Sequence, residues 1–368
     1  MVPSAAVSTT RVGWLCLFLL ACGNAGDRAE VRDEPAPPPS TESAPPEAPP
    51  EPEPEPEVEE PPEPLTMPTD VAMPGEGGFT HDAILADMVE ARPTQFKPVG
   101  TSSVVFRVQT LGEHMFAFKP PSAVRARAAS AEVAAYRLGR LLGYDNVLPA
   151  AIRDINRRSI RARLHPRYAD EQTWLDLEEA VRWNGLEATG AAIYWVPDMR
   201  DIGLDSPEQR REWAGWIGRG GEAPEGQRQL ARDLSDLILF DYLIANWDRY
   251  SGGNLRVIGS EDAPRVVIRD NDAAFAAPLP DAIETRLRTE LEKVERFSRS
   301  TIDRLQRLDR ETLRAAMRNE RVTDETADTA YFLSDAQMTG VLERAATALS
   351  YVAALIDLAG EDAVLDFE

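Results

Sequence analysis

The chain contains very little cysteine and histidine: two cysteines and three histidines in 368 residues. Cys16 and Cys22 both lie near the N-terminus, so the remainder of the sequence has no thiol that could form a disulfide bond. His81, His114 and His165 are far apart and lack the spacing of zinc ligands. The composition therefore argues against a disulfide-stabilised fold and against a zinc centre made of histidine and cysteine.

Positive charge is also scarce: the chain has 40 Lys and Arg residues against 62 Asp and Glu residues, and its formal net charge is −22. Binding of nucleic acid needs a basic surface, so we expect no nucleic-acid partner. Much of the acidity lies in residues 23–68, where Pro, Glu, Ala and Ser dominate. This composition is too poor in apolar side chains to bury a core and predicts a disordered spacer.

The sequence shows only a short apolar run near its start, "VGWLCLFLLA" after Arg11. Such a run is typical of a signal peptide rather than of a membrane span. The stretch from Leu19 to Cys22 resembles the bacterial lipobox, which predicts a signal peptide over residues 1–22 and a lipid on Cys22. We therefore expect a protein anchored by lipid in the bacterial envelope, at the outer membrane. An ordinary secretory signal, or a membrane anchor with an accidental cysteine, is the alternative.

The part that follows the spacer changes from strand patterns to helix patterns along the chain. Alternating apolar residues predict a hairpin over 101–120 and strands over 147–164 and 188–196, and an alanine-rich helix lies between them and ends at Gly143. Further on, helices are expected over 206–217, 227–246, 282–298, 310–319 and 335–359, and short strands over 254–258 and 265–269. This order predicts an α+β fold with a strand-rich small lobe over 79–198 and a helical large lobe over 199–368.

Oxygen-bearing side chains follow the predicted helix that ends near residue 246. Asp248 and Asn254 lie six residues apart in a glycine-rich turn, and Asp270 and Asp272 end the next short strand. Carboxylate and amide oxygens suit Mg²⁺ in phosphoryl-transfer sites. Taken singly, the first group is equally compatible with a polar turn, and the second with a cluster that caps backbone amides.

A third group of residues lies in the predicted small lobe. The turn formed by Gly100, Thr101, Ser102 and Ser103 precedes a strand, Lys119 ends the next strand, and Glu132 lies on the helix that follows. In a kinase small lobe the amides of such a turn cover phosphates, the lysine binds them and the glutamate pairs with the lysine. Alternatively, Lys119 extends to water and Glu132 is an ordinary solvated helix residue.

These motifs together resemble the atypical kinases that include the Golgi casein kinase family, the type II phosphatidylinositol 4-kinases and the bacterial HipA-type kinases. "FKP" around Lys119 looks like the ATP-binding lysine strand, and "AEVAAYRLGRLLGY" is similar to the helix that bears the glutamate. "DYLIANWDR" resembles the catalytic loop, and "IRDNDAAF" the metal motif. The resemblance covers about half of the chain. It implies that Lys119 and Glu132 bind nucleotide, that Asp248 is the catalytic base, and that Asp270 holds metal.

Two departures from the family pattern concern the metal ligands. Asn254 comes one position later than the usual second metal residue, and it receives that role by analogy only. Asp272 stands where the family has glycine, so it either adds a metal ligand or disturbs the turn.

The resemblance implies phosphoryl transfer from ATP, with Mg²⁺ or Mn²⁺, to a hydroxyl acceptor on a protein, a lipid or a sugar. Arg249 would brace the catalytic loop, and Trp195 with Val196 either contact the adenine or belong to the core. Transfer of AMP on the same fold is one alternative. A catalytically inactive binding module is another, which Asp272 and the shortage of ATP outside the cytoplasm favour.

Overall fold

The structure is a computed structural model that describes residues 64–75, 77–100, 103–123, 125–250 and 253–368. The predicted signal peptide, the lipidation site Cys22 and nearly all of the predicted spacer lie outside the described residues. Thr101 and Ser102 of the predicted phosphate-covering turn lie outside them too. No helix in the described ranges is long and apolar enough to cross a membrane.

Two antiparallel sheets carry the strands of the described residues. The larger sheet has five strands in the order β1-β2-β3-β5-β4, and β6 pairs with β7 in a separate ribbon. The strands are β1 Pro93–Pro98, β2 Phe106–Thr110, β3 Phe116–Lys119, β4 Ala150–Asn156, β5 Glu187–Tyr194, β6 Arg256–Gly259 and β7 Pro264–Val267.

Helices make up most of the second half of the described chain. They are α1 His81–Glu90, α2 Ala128–Leu141, α3 Arg157–Ala162, α4 Glu171–Ala180, α5 Pro207–Ile217, α6 Arg228–Ile244, α7 Asp281–Leu291, α8 Arg299–Gln306, α9 Arg310–Ala316, α10 Asp335–Ala359 and α11 Glu361–Val364. A strand-rich first part and a helical second part give the predicted α+β class, which is confirmed.

The β2–β3 hairpin follows directly from the alternation of its residues. Phe106 pairs with Phe118 and Val108 with Phe116, so that all four side chains point to one face of the sheet. That face is fully buried against the core, whereas Arg107 between them points to the other face. Because the buried face fixes the register, the end of β3 and its Lys119 have a defined position.

Helix α2 packs across the five-stranded sheet, and α6 runs through the core of the helical part. Nearly every residue of α6 is buried, including three carboxylates. Asp233 binds Arg265 of β7 at 2.7 Å, Asp236 accepts a hydrogen bond from Thr301 of α8 at 3.0 Å, and Asp241 pairs with Arg249. Each buried acid therefore ties α6 to a different element.

Several predicted elements were wrong in extent. Residues 157–164 were expected to continue a strand, but residues 157–162 form α3, because the Asn156 side chain accepts a hydrogen bond from the amide of Arg158 and caps a helix there. The helix expected over 282–298 ends at Leu291, and Phe297 then pairs through its backbone with the C-terminal segment. Helices α1, α4, α8 and α11 and strand β1 were not predicted from the sequence.

Candidate functional site

A cavity of about 490 Å³ lies between the five-stranded sheet and the helical part. Its lining brings together every predicted site residue that the structure describes. These residues are Gly100, Ser103, Lys119, Glu132, Asp248, Asn254, Asp270 and Asp272. Residues separated by as many as 153 positions along the chain therefore contact one another here.

Lys119 is the centre of the charged cluster. Its ammonium lies 2.6 Å from Glu132 of α2, 2.6 Å from Asp270 and 3.3 Å from Asp272. The predicted ion pair between Lys119 and Glu132 is thus present. Burial by itself lowers the pKa of Lys119, but the carboxylates of Glu132 and Asp270 outweigh burial and raise that pKa above its ordinary value. Lys119 therefore carries a positive charge at any physiological pH.

Glu132 holds two parts of the chain together. One carboxylate oxygen pairs with Lys119 at the end of β3, and the other accepts a hydrogen bond of 3.1 Å from the backbone amide of Asn271. The side chain of Glu132 is only 2% exposed. Because α2 is anchored in the core along its length, Glu132 fixes the lysine strand against the segment that carries Asp270 and Asp272.

Asp270 follows β7 in the left-handed backbone region, with a φ angle of 56°. Few residues other than glycine adopt a positive φ, and aspartate is among those that tolerate it. The contacts of Asp270 with its neighbours hold it in this conformation. Burial raises the pKa of the Asp270 carboxyl, but Lys119, Arg269 and Arg249 outweigh burial and lower that pKa below its usual value. Asp270 is therefore ionised and able to act as a ligand for a cation.

Asp272 occupies the position where a glycine was expected. Its backbone is outside the left-handed region, so the turn does not require glycine there. The side chain is 7% exposed and faces both Lys119 and Arg125. Asp272 thus adds a carboxylate to the cavity instead of pointing away from it.

Asp248 lies in the loop that begins where α6 ends. Ala245 takes a left-handed conformation with φ 53° and ends the helix. The buried side chain of Asn246 accepts a hydrogen bond of 3.2 Å from the amide of Asp248, and the Asn254 amide group donates one of 3.1 Å to the carbonyl of Asp248. Two asparagines therefore hold the backbone of Asp248 while its carboxylate faces the cavity.

Arg249 braces this loop from inside the core, as predicted. Its guanidinium is 1% exposed, pairs with Asp241 of α6 at 2.9 Å and donates to the Asn271 side chain at 2.8 Å and to the carbonyl of Arg269. Burial lowers the pKa of Arg249, but Asp241 outweighs burial and raises it. The loop of Asp248 and the loop of Asp270 are thus fixed to each other through Arg249.

Gly100 and Ser103 form one rim of the cavity. A Cβ atom built on Gly100 would lie 1.9 Å from the carbonyl oxygen of Ser103, far inside van der Waals contact. This position therefore has no room for a Cβ atom beside the Ser103 carbonyl. The two residues of the turn that lie between Gly100 and Ser103 are outside the described residues.

Apart from Arg125 and Arg269, the rest of the lining is apolar. It consists of Val99, Val105, Ala117, Leu148, Ile193, Tyr194, Trp195 and Met199. Trp195 lines the cavity, whereas Val196 belongs to the buried core with 2% exposure. A flat apolar group bound here would lie against this lining with its polar end near Lys119.

The donors present fit a hard divalent cation. Oxygens of Glu132, Asp270 and Asp272 lie within 4.8 Å of one another, and Asn254 lines the same cavity. Carboxylate and amide oxygens are the ligands preferred by Mg²⁺. Four carboxylates and three cationic side chains line the cavity, so its formal charge is −1. A polyphosphate could bind there only together with cations that offset the repulsion.

Sequence reasoning missed three polar residues of the site. Arg125 and Arg269 line the cavity, and Asn271 is buried beneath it, where it accepts from Arg249. Asn271 lies between Asp270 and Asp272 in the sequence and could have been singled out for that reason. No sequence pattern marked Arg125 or Arg269, because their positions depend on how the loops before α2 and after β7 fold.

Comparisons with known proteins identify the fold. No protein-family model matches the chain, and no curated protein matches it by sequence. Among solved structures, the Golgi casein kinase crystallised with Mn and ADP is 16% identical, with a TM-score of 0.57 over 77% of this chain and 78% of that one. The hydra Fam20 structure with sugar is 18% identical, with a TM-score of 0.54 over 81% and 95% of the two chains. The chain therefore has an atypical protein-kinase-like fold.

Proposed function

We propose that this protein is an ATP-dependent and divalent-metal-dependent phosphotransferase. The observation that carries the proposal is the convergence of Lys119, Glu132, Asp270 and Asp248 on one cavity in a kinase-like fold. The similar Golgi casein kinase binds Mn and ADP, which supports the choice of cofactors. Phosphoryl transfer needs positioning and charge neutralisation more than covalent help, and these residues offer both.

Each side chain has a defined part in this mechanism. Lys119, held by Glu132, binds phosphate oxygens of the nucleotide, and the apolar lining accepts the base. Asp270 and Asn254, with Asp272, would hold Mg²⁺ or Mn²⁺, which would offset the negative charge of the phosphates. Asp248 orients the acceptor hydroxyl and takes its proton as the oxygen bonds to the γ-phosphorus and the bond to ADP breaks.

The braced loops supply the positioning that this chemistry requires. Asn246, Arg249 and Asn271 connect the loop of Asp248 to the loop of Asp270 by buried hydrogen bonds. A general base and a metal-bound phosphate must be held within a few tenths of an ångström for efficient transfer. We therefore place the acceptor hydroxyl beside Asp248.

We further propose that lipid on Cys22 anchors the protein in the bacterial envelope, with its acceptor on a protein, lipid or sugar there. The lipobox-like residues before Cys22 and the acidic, proline-rich segment after it support this proposal. Radiolabelled palmitate should enter the protein expressed in a bacterium and should not enter Cys22→Ser. Equal labelling of the variant would contradict the anchor.

The test of activity uses ATP labelled separately at the γ and α phosphates. We expect the γ label to reach protein or added acceptor with Mg²⁺ or Mn²⁺, and Asp248→Asn and Asp270→Asn to abolish the transfer. Asp357→Asn, which removes an exposed carboxylate of α10, is the matched control and should keep it. Transfer of the α label instead would indicate an AMP transferase, and unchanged nucleotide binding without any transfer would indicate a binding module.

A further inference from the structure

Arg125 lies where the nucleotide cavity meets a second cavity. This second cavity has a volume of about 350 Å³ and is lined by Arg125, Trp247, Asp272 and Phe332 together with the start of α2. Trp247 directly precedes Asp248 in the chain and is 38% exposed. Because Arg125 lies 3.8 Å from Asp248, the second cavity lies beside the carboxylate proposed to orient the acceptor.

The guanidinium of Arg125 contacts two carboxylates with different proposed tasks. It forms an ion pair with Asp272, a proposed metal ligand, and lies 3.8 Å from Asp248, the proposed base. A phosphoryl group that passes from a metal-bound nucleotide to a hydroxyl beside Asp248 must cross the space between those two carboxylates. Arg125 lies between these two carboxylates.

Among the described residues, neither of the other two cations of the cavity forms an ion pair with Asp248. Lys119 lies among the other three carboxylates, and Arg269 lies 3.8 Å from Asp270. Arg125 belongs to the loop between β3 and α2, is 27% exposed at its side chain and can exchange one anionic partner for another. A planar guanidinium binds two phosphate oxygens at once, which a lysine cannot do.

We propose that Arg125 is a further catalytic residue, whose guanidinium binds the terminal phosphoryl group and neutralises its charge during transfer. This inference rests on the proposed function. In the reaction the acceptor oxygen bonds to the γ-phosphorus, the bond to ADP breaks and the proton goes to Asp248. Arg125 exchanges its contacts with Asp272 and Asp248 for oxygens of the moving group, which frees both carboxylates for their own tasks.

The experiment compares the full chain with Arg125→Gln and Arg125→Lys. Arg92→Gln is the control, because Arg92 is exposed and its side chain makes no hydrogen bond or ion pair with the part of the chain that the structure describes. Titration calorimetry with Mn²⁺ measures binding of ADP and of the β,γ-imido analogue of ATP. Transfer of the γ label gives kcat and KM for each form.

We expect Arg125→Gln to bind the ATP analogue about tenfold more weakly and to bind ADP unchanged, because the residue reaches only the terminal phosphate. The kcat of Arg125→Gln should fall on the order of 10²- to 10³-fold. Arg125→Lys should have a higher kcat than Arg125→Gln, because the lysine ammonium still supplies a positive charge. Arg92→Gln should match the wild type in every measurement.

Other outcomes separate this inference from the proposed function. An equal loss of ADP and ATP-analogue affinity, or an unchanged kcat, would overturn the role of Arg125 and leave the phosphotransferase intact. A wild-type chain that binds neither nucleotide would overturn both. Selective loss of the ATP analogue in Arg125→Gln, with no transfer by the wild type, would support the contact and overturn only the activity.

Discussion

Replacement of Lys119 by methionine tests the charged cluster without any need for enzymatic activity. Methionine keeps most of the aliphatic stem but removes the ammonium from among Glu132, Asp270 and Asp272, whose oxygens lie within 4.8 Å of one another. At an effective dielectric constant of 20, two unit charges at that separation repel by about 3.5 kcal/mol. The carboxylates can relieve part of this repulsion by taking up a proton.

We therefore expect Lys119→Met to lower the free energy of unfolding by about 3–5 kcal/mol, the usual effect of removing one partner from a buried ion pair. Adding Mg²⁺ or Mn²⁺ should restore part of the loss, because a divalent cation replaces the missing positive charge. At ten times its dissociation constant the cation would restore about 1.4 kcal/mol. Wild-type protein should respond less, since Lys119 already neutralises the same oxygens.

Urea unfolding followed by tryptophan fluorescence, with and without MgCl₂, measures both effects. Lys97→Met is the matched control: Lys97 is a half-buried strand lysine that makes no ion pair within the described residues, and its loss should change stability by less than about 0.5 kcal/mol. A loss below about 1 kcal/mol for Lys119→Met would refute the electrostatic account of the cluster. Absence of any metal effect on the variant would refute the carboxylates as a cation site.

Three further predictions concern stability and nucleotide binding. Arg249→Met should lower the free energy of unfolding, measured in urea, by about 3–5 kcal/mol because it leaves buried Asp241 unpaired. Combining it with Asp241→Leu should recover most of that loss. Gly100→Ala should raise the KM for ATP in the γ-label assay with little effect on unfolding, because the new Cβ meets the Ser103 carbonyl. Burial lowers the pKa of His81 to about 4 from 6.5, so the folded chain binds this proton less readily than the unfolded chain. The free energy of unfolding should therefore fall by about 2.5 kcal/mol as the pH drops from 6.5 to 4, and His81→Gln should remove that part of the pH dependence measured in urea.

Local patterns predicted those elements whose side chains alternate or repeat strongly. The β2–β3 hairpin, α2 with its stop at Gly143 and the buried α6 were all foreseen, because one face of each is continuously apolar. Residues 157–164 were not, since a short apolar spacing fits a strand and a helix equally well and the Asn156 cap decided between them. Helix α1 and strand β1 lack a clean apolar repeat and were missed.

The candidate site could be foreseen only in part, for a similar reason. Lys119, Glu132, Asp248 and Asp270 stand in short motifs whose spacing reflects local backbone geometry. Arg125 stands in no such motif, and its proposed role comes entirely from contacts with Asp248 and with Asp272, which is 147 positions further along. Asp272 was noticed as a departure from a glycine, but whether it enters the cavity or leaves it depends on the fold of the whole turn.

The amino-acid sequence by itself determined the α+β class, the β2–β3 hairpin, helices α2 and α6, the absence of thiols from the folded part and the kinds of ligand atoms available, because these properties depend on neighbouring residues and on composition. Only the tertiary structure decided that one lysine lies among three carboxylates, that Arg249 joins two loops, and that Arg125 lies between the proposed base and the proposed metal ligands. Contacts of this kind join residues far apart in the chain, and packing of the sheet against α2 and α6 sets their distances. No local pattern specifies such distances.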